Sequence, residues 1–177
     1  MDLCGMIHPP QPNLQTALGH ELKHELAITR RVLERVPTEQ FGWQPHAKSM
    51  TLGTLAGHMA NLIGFLELSL QGAAFDLASG KMPDNPATTA DVLARFDVNA
   101  ENLHQALADV SDDAFNDIWS LTHGDKTLLS LPRTAVVRTM VLNHLIHHRG
   151  QMSVYLRLLD IAVPSIYGGS ADEAPQR

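Results

Sequence analysis

Asn143-His144-Leu145-Ile146-His147-His148-Arg149-Gly150-Gln151 lies inside a long apolar-periodic stretch from Pro132 to about Asp160. A helix turns by about 100° per residue, so His144 and His148 sit one turn apart and point the same way. On that wheel Val137, Met140, Val141, His144, His148, Gln151, Tyr155 and Leu158 form one inward arc. Two imidazoles at i, i+4 can grip one divalent ion. The spacing predicts a helix, and Pro132 suits its first turn.

Three further amphipathic stretches precede it. Asn13 suits an N-cap, and a helix is predicted from there to about Val36, stopped by Pro37. Its stripe is Leu14, Leu18, Leu22, Leu26, Thr29, Leu33 and Val36. After the turn-rich link Phe41-Gly42-Trp43-Gln44-Pro45-His46, a second helix is predicted from about Thr51 to Gln71, with Leu55, Met59, Leu62 and Leu66 inward. Lys81 to Ala87 reads as a surface loop. Thr88 or Thr89 can cap a third helix carrying Val92, Phe96, Leu103, Leu107 and Val110 on one face. Residues 111–131 lack helical periodicity. Within them Asp117–Leu121 and Lys126–Leu131 flank His123-Gly124-Asp125 and predict a short hairpin. Four helices of comparable length argue for an all-α four-helix bundle spanning about 13–160, within a single domain of 1–177. The lead-in through Pro12 reads as extended, and the tail, Pro164 to Arg177, carries Gly168-Gly169 and reads as ending disordered.

Composition narrows the function classes. A chain of 177 residues can bury a sizeable core. Net charge is -6, from 13 basic and 19 acidic residues, which disfavours a nucleic-acid partner. Hydrophobic content is 44% and no apolar run approaches membrane-spanning length, so no membrane partner is expected. Met1 to Met6 lacks the basic start and apolar core of a signal peptide, which makes the cytoplasm the expected location. The single cysteine, Cys4, cannot form an intrachain disulfide and reads as an incidental thiol.

The chain has ten histidines, and helical direction separates them. His58 shares the arc of Leu55, Leu62 and Leu66, so His58, His144 and His148 all face the core. A buried imidazole needs a partner, and either metal ligation or an ordinary hydrogen bond would satisfy it. Three histidines without an obvious fourth ligand would leave an open metal position, as catalytic sites do. His147 sits at the edge of the arc and is the rival of His148 for the ligand position; it reads as supporting or surface. His20 and His24 face away from the apolar stripe and read as solvated. Glu21-x-x-His24 and Glu101-x-x-His104 match the di-iron carboxylate spacing, but His24 and Glu101 point outward and the fourth helix has no glutamate. The di-iron reading is therefore rejected.

Two polar residues are candidates for catalytic support. Glu25 lies on the inward arc of the first helix, either near a bundle end and reaching solvent, or buried where it can accept a proton or orient water. Gln151 can hydrogen-bond a ligand histidine, the substrate or the neighbouring helix.

Phe41-Gly42-Trp43-Gln44-Pro45, Lys48-Ser49-Met50-Thr51-Leu52-Gly53 and His58 together resemble the approach to the second helix in the DinB/YfiT superfamily. Asn143-His144-x-x-x-His148-Arg149-Gly150-Gln151 resembles its fourth-helix signature, and Val163-Pro164-Ser165-Ile166-Tyr167-Gly168 its tail. The resemblance covers nearly the whole chain. It implies a four-helix bundle, often a homodimer, whose divalent ion is held by His58, His144 and His148. Relatives in that superfamily include metal-dependent thiol S-transferases and a thiol-dependent isomerase. The resemblance thus implies zinc or nickel, a low-molecular-weight thiol and an electrophilic substrate. A metal-dependent hydrolase and a non-catalytic metal-binding stress-response bundle are the alternatives. The superfamily's damage-inducible name describes regulation and does not imply DNA binding.

Overall fold

The computed structural model describes residues 13–79 and 83–174. The proline-rich lead-in, Cys4 and His8 lie outside them, as does part of the Lys81–Ala87 loop.

The chain folds into α1 (Leu14–Leu33), α2 (Leu52–Gln71), β1 (Ala74–Asp76), α3 (Thr89–Asp109), β2 (Ile118–His123), β3 (Lys126–Pro132), α4 (Arg133–Val136) and α5 (Asn143–Leu158). A π-helical turn, Val137–Leu142, joins α4 to α5 without a break. The three long helices α1, α2 and α3 each start where the sequence supplies a cap. The Asn13 side chain accepts the Thr16 N–H at 2.9 Å. The Asp112 carboxylate takes the Leu14 and Gln15 N–H groups at 3.0 and 2.9 Å, filling donors that the first turn leaves open. Thr51 caps α2, and Thr88 with Asp91 forms a reciprocal capping box on α3.

Both α3 and α5 pack against α1 and α2, closing a four-helix bundle. Its core holds Leu18, Leu22, Leu55, Met59, Leu66, Phe96, Leu103, Leu145, Met152 and Leu156. Each such side chain contributes about 1.5–3 kcal/mol relative to exposure. Of the stripe expected on α1, Leu14 and Leu26 are only partly buried, while Ile28 and Val32 join the core. No helix among the described residues is long and apolar enough to cross a membrane.

The chain is not all-α. The hairpin between the third and fourth helical runs forms, turning at Gly124 with φ +57°. It is also joined by β1, which pairs parallel to β2 in register Ala74↔Ser120 to Asp76↔Thr122. The resulting order is β1-β2-β3. Trp119 of β2 is fully buried, edge-on to Phe65 of α2 at 5.5 Å. The sheet thereby rests on the bundle.

Two other expectations need correction. The fourth helical run is not one uniform α-helix. Its π-turn shifts the phase between Val137 and Asn143, and Leu158, placed inward on a single wheel, is 58% exposed. Nor is the described part of the tail disordered. After Asp160, at φ +57°, the chain folds back over α1 and α5. Asp172 accepts the Val163 N–H at 2.8 Å and pairs with Arg157 of α5. Glu173 accepts the Ser165 N–H at 3.0 Å and pairs with Arg31 and Arg35 of α1.

Candidate metal centre

His58 of α2 and His144 and His148 of α5 converge. One ring nitrogen from each lies within 4.8 Å of the others. The Nε2 atoms of His58 and His144 are 3.4 Å apart. Ring centroids are separated by 5.1 Å (His58–His144), 4.6 Å (His58–His148) and 4.6 Å (His144–His148). The sequence brings them together by two means. The i, i+4 spacing stacks His144 over His148, and α2 packs its His58 face against α5.

The second nitrogen of each α5 histidine is already engaged. His148 Nδ1 is 2.7 Å from Gln151 Oε1, and His144 Nδ1 is 3.3 Å from the Met140 carbonyl. Both partners are acceptors, so each Nδ1 carries the proton and donates it. The lone pairs then fall on Nε2. The Met140 carbonyl belongs to the π-turn, a kind of irregularity that recurs at functional sites.

The electrostatics favour neutral rings at His58 and His148. Burial, followed by the neighbouring His148 and His144, pushes His58 down to about 4. Burial likewise pushes His148 below its ordinary value, against the hydrogen bond it donates to Gln151. Neutral imidazoles are the form that binds metal.

His148 Nε2 is buried and has no hydrogen-bond partner among the described residues. A buried ring nitrogen without a partner is unfavourable by roughly 1–3 kcal/mol. The His148 ring lies 4.6 Å from each of two other imidazoles, centroid to centroid, a donor set suited to a borderline divalent ion. The cluster is thus compatible with metal binding. His148 is buried, whereas His58 and His144 are half-exposed, so one side of the cluster faces outward.

The remaining candidates separate cleanly. His147 is exposed; its ring lies 5.0 Å from that of His148 but it is outside the cluster. His20, His24, His46, His104 and His123 are exposed. Gln151 is exposed on its outer side and meets His148 through its amide oxygen.

Glu25 does not reach solvent. It is 6% exposed and belongs to a second polar group on the α1 side of α5. Its carboxylate pairs with Arg149 at 2.6 Å and accepts the Tyr167 hydroxyl at 2.8 Å. Burial, then the bond to Glu25, raises the Tyr167 hydroxyl above its ordinary pKa, so it remains the donor. Arg149, 1% exposed, also donates to Thr29 Oγ1 and the Glu25 carbonyl, each at 3.1 Å. The inward position of Arg149 was available in the sequence. Leu145, Arg149, Met152 and Leu156 repeat at alternating steps of four and three, a buried seam with a charge in it. Tyr167 carried no such signal, because it lies beyond the last helix.

The sequence profile of the DinB superfamily matches residues 21–152. A curated Bacillus subtilis (strain 168) protein, the uncharacterized protein YrdA, is 28% identical over 171 residues, spanning 88% of this chain and 91% of its own. Among solved structures, a DinB-like protein from Bacillus cereus ATCC 10987 aligns with TM-score 0.68 at 23% identity, covering 86% of this chain and 97% of that one. A DinB-like protein from Bacillus subtilis, YjoA, aligns with TM-score 0.71 at 15% identity, covering 91% and 99%. At these identities the structural likeness speaks for the fold alone. The profile match across most of the chain places it in the family: the protein belongs to the DinB superfamily.

Proposed function

We propose that this DinB-superfamily protein is a metal-dependent enzyme, a thiol S-transferase whose ligands are His58, His144 and His148. The observation that carries the reading is the buried, unpartnered Nε2 of His148 among two further imidazoles. Zinc or nickel suits the all-nitrogen donor set. Such an ion, when bound, lowers the pKa of a thiol or water beside it.

The chain's own residues supply the rest. Gln151 holds His148 in the tautomer that leaves Nε2 free. The Met140 carbonyl does the same for His144. His58 and His144 are half-exposed, so the cluster is open to solvent on one side, which favours an open site over a closed structural one. Glu25 is engaged by Arg149 and Tyr167, so its part is to position α5 rather than to touch substrate. In the transfer, the thiol sulfur bonds to an electrophilic carbon. The leaving group departs with its bonding pair, and the thiol proton passes to that group or to solvent. The partners are a small thiol and an electrophile; a homodimer is the assembly expected from the resemblance.

The test uses the zinc- and nickel-loaded protein with glutathione, cysteine or coenzyme A and a fluorogenic haloalkyl acceptor. Metal-dependent thioether formation, absent in His144→Ala, supports the transferase. With a fluorogenic ester in place of the acceptor, metal-dependent hydrolysis without thioether formation in the first assay favours the hydrolase. Neither activity, with collapse of the fold on chelation, favours a structural ion.

A further inference from the structure

His148 turns toward α2, and the next residue, Arg149, turns toward α1. The guanidinium of Arg149 binds both the carboxylate and the main-chain carbonyl of Glu25, and the hydroxyl of Tyr167. Tyr167 in turn donates to the same Glu25 carboxylate at 2.8 Å. Three segments, α1, α5 and the C-terminal tail, therefore close one circuit of hydrogen bonds. The side chains of Arg149 and Glu25 are 1% and 8% exposed, so both charges are desolvated and depend on every partner they have. Tyr167 itself is 62% exposed, but its hydroxyl reaches the buried pair and the Arg149 guanidinium lies 5.0 Å from its ring centroid. The ion pairs at the far end of the tail are more exposed and individually weak.

From this geometry we infer that the segment 163–173 is a working part of the histidine centre. Tyr167 is a positioning residue: acting through Glu25 and Arg149, it locks the turn of α5 that carries His148. The inference rests on the metal reading above and adds to it a control on how firmly the ion is held. Groups that orient a ligand typically change metal affinity by about ten- to hundredfold, and the Tyr167 hydroxyl acts one residue removed, which sets the expectation at about tenfold.

The experiment follows zinc transfer from the loaded protein to a chromogenic chelator, together with amide hydrogen exchange at 147–151 in the metal-free protein. It compares the wild type, Tyr167→Phe, and Asp172→Asn combined with Glu173→Gln. Leu70→Ala, a core change at the far end of α2, is the control for general destabilisation. The expected result is about tenfold faster zinc release in Tyr167→Phe, faster exchange at 147–151, and a change of the same sign in the tail double variant, with release from Leu70→Ala unchanged. Tight wild-type binding with Tyr167→Phe releasing zinc at the wild-type rate overturns the inference alone. So does equal acceleration in Leu70→Ala. A wild type that binds no zinc overturns the metal reading, and this inference with it.

Discussion

Replacing Arg149 by Met removes one charge from a buried pair and leaves the other. Arg149 is 1% exposed and holds the Glu25 carboxylate at 2.6 Å, with Thr29 Oγ1 and the Glu25 carbonyl at 3.1 Å. After the change, the Glu25 carboxylate keeps, among the described residues, only the Tyr167 hydroxyl. Breaking a buried pair from one side destabilises by about 3–5 kcal/mol. In a chain of this size each kcal/mol moves Tm by roughly 2–4 °C, so Arg149→Met should melt about 6–20 °C below the wild type. The double variant Glu25→Leu/Arg149→Met removes both charges and refills the space with apolar atoms. It should recover most of the loss, to within about 2 kcal/mol of the wild type, since such replacements are often neutral or stabilising. Urea unfolding of the metal-free proteins gives the free energies and the coupling term. A loss below about 1 kcal/mol in the single variant would refute the reasoning, because the pair would then not be the desolvated unit described. A double variant no more stable than the single one would refute it equally.

Three more expectations concern the cluster and its surroundings. His58 titrates at about 4 in the folded, metal-free protein against an ordinary 6.5, so the unfolded chain takes up this proton first. Stability should be flat above pH 6.5 and fall as pH drops from there toward 4, with a shallower slope in His58→Gln, measured by urea unfolding across pH. Gln151→Leu removes the acceptor of His148 Nδ1 and should weaken metal binding by about ten- to hundredfold in chelator competition. The change also leaves the Nδ1–H of the buried His148 without its acceptor, so the metal-free variant should lose about 1–3 kcal/mol of stability in urea unfolding. Gly57→Ala should destabilise by about 1–3 kcal/mol, opposite to the usual gain of Ala in a helix, because a Cβ there would stand 2.6 Å from the Pro86 ring. A gain in Tm would contradict that packing.

Much of the architecture was readable because it rests on local chemistry. Asn13, Thr51 and Thr88 mark helix starts through caps that depend on a few neighbouring residues. His58 converges with His144 and His148 because all three lie on apolar arcs, and arcs face the core. The misses have physical causes too. Ala74–Asp76 is a three-residue strand, too short to show a period, and its pairing with β2 is a contact across more than forty residues. The π-turn left no mark in the sequence, so a wheel drawn across it misplaced Leu158. The tail's glycines suggested disorder, yet its order comes from Asp172, Glu173 and Tyr167 finding arginines on α1 and α5. Such long-range pairings have no local signature.

The central claim is that His58, His144 and His148 hold one divalent ion. Elemental analysis of untagged protein, beside His144→Ala and His20→Ala, tests it most directly. The account expects about one ion per chain in the wild type and in His20→Ala, and none in His144→Ala. Metal absent from the wild type even after reconstitution, or metal retained by His144→Ala and lost from His20→Ala, would contradict it.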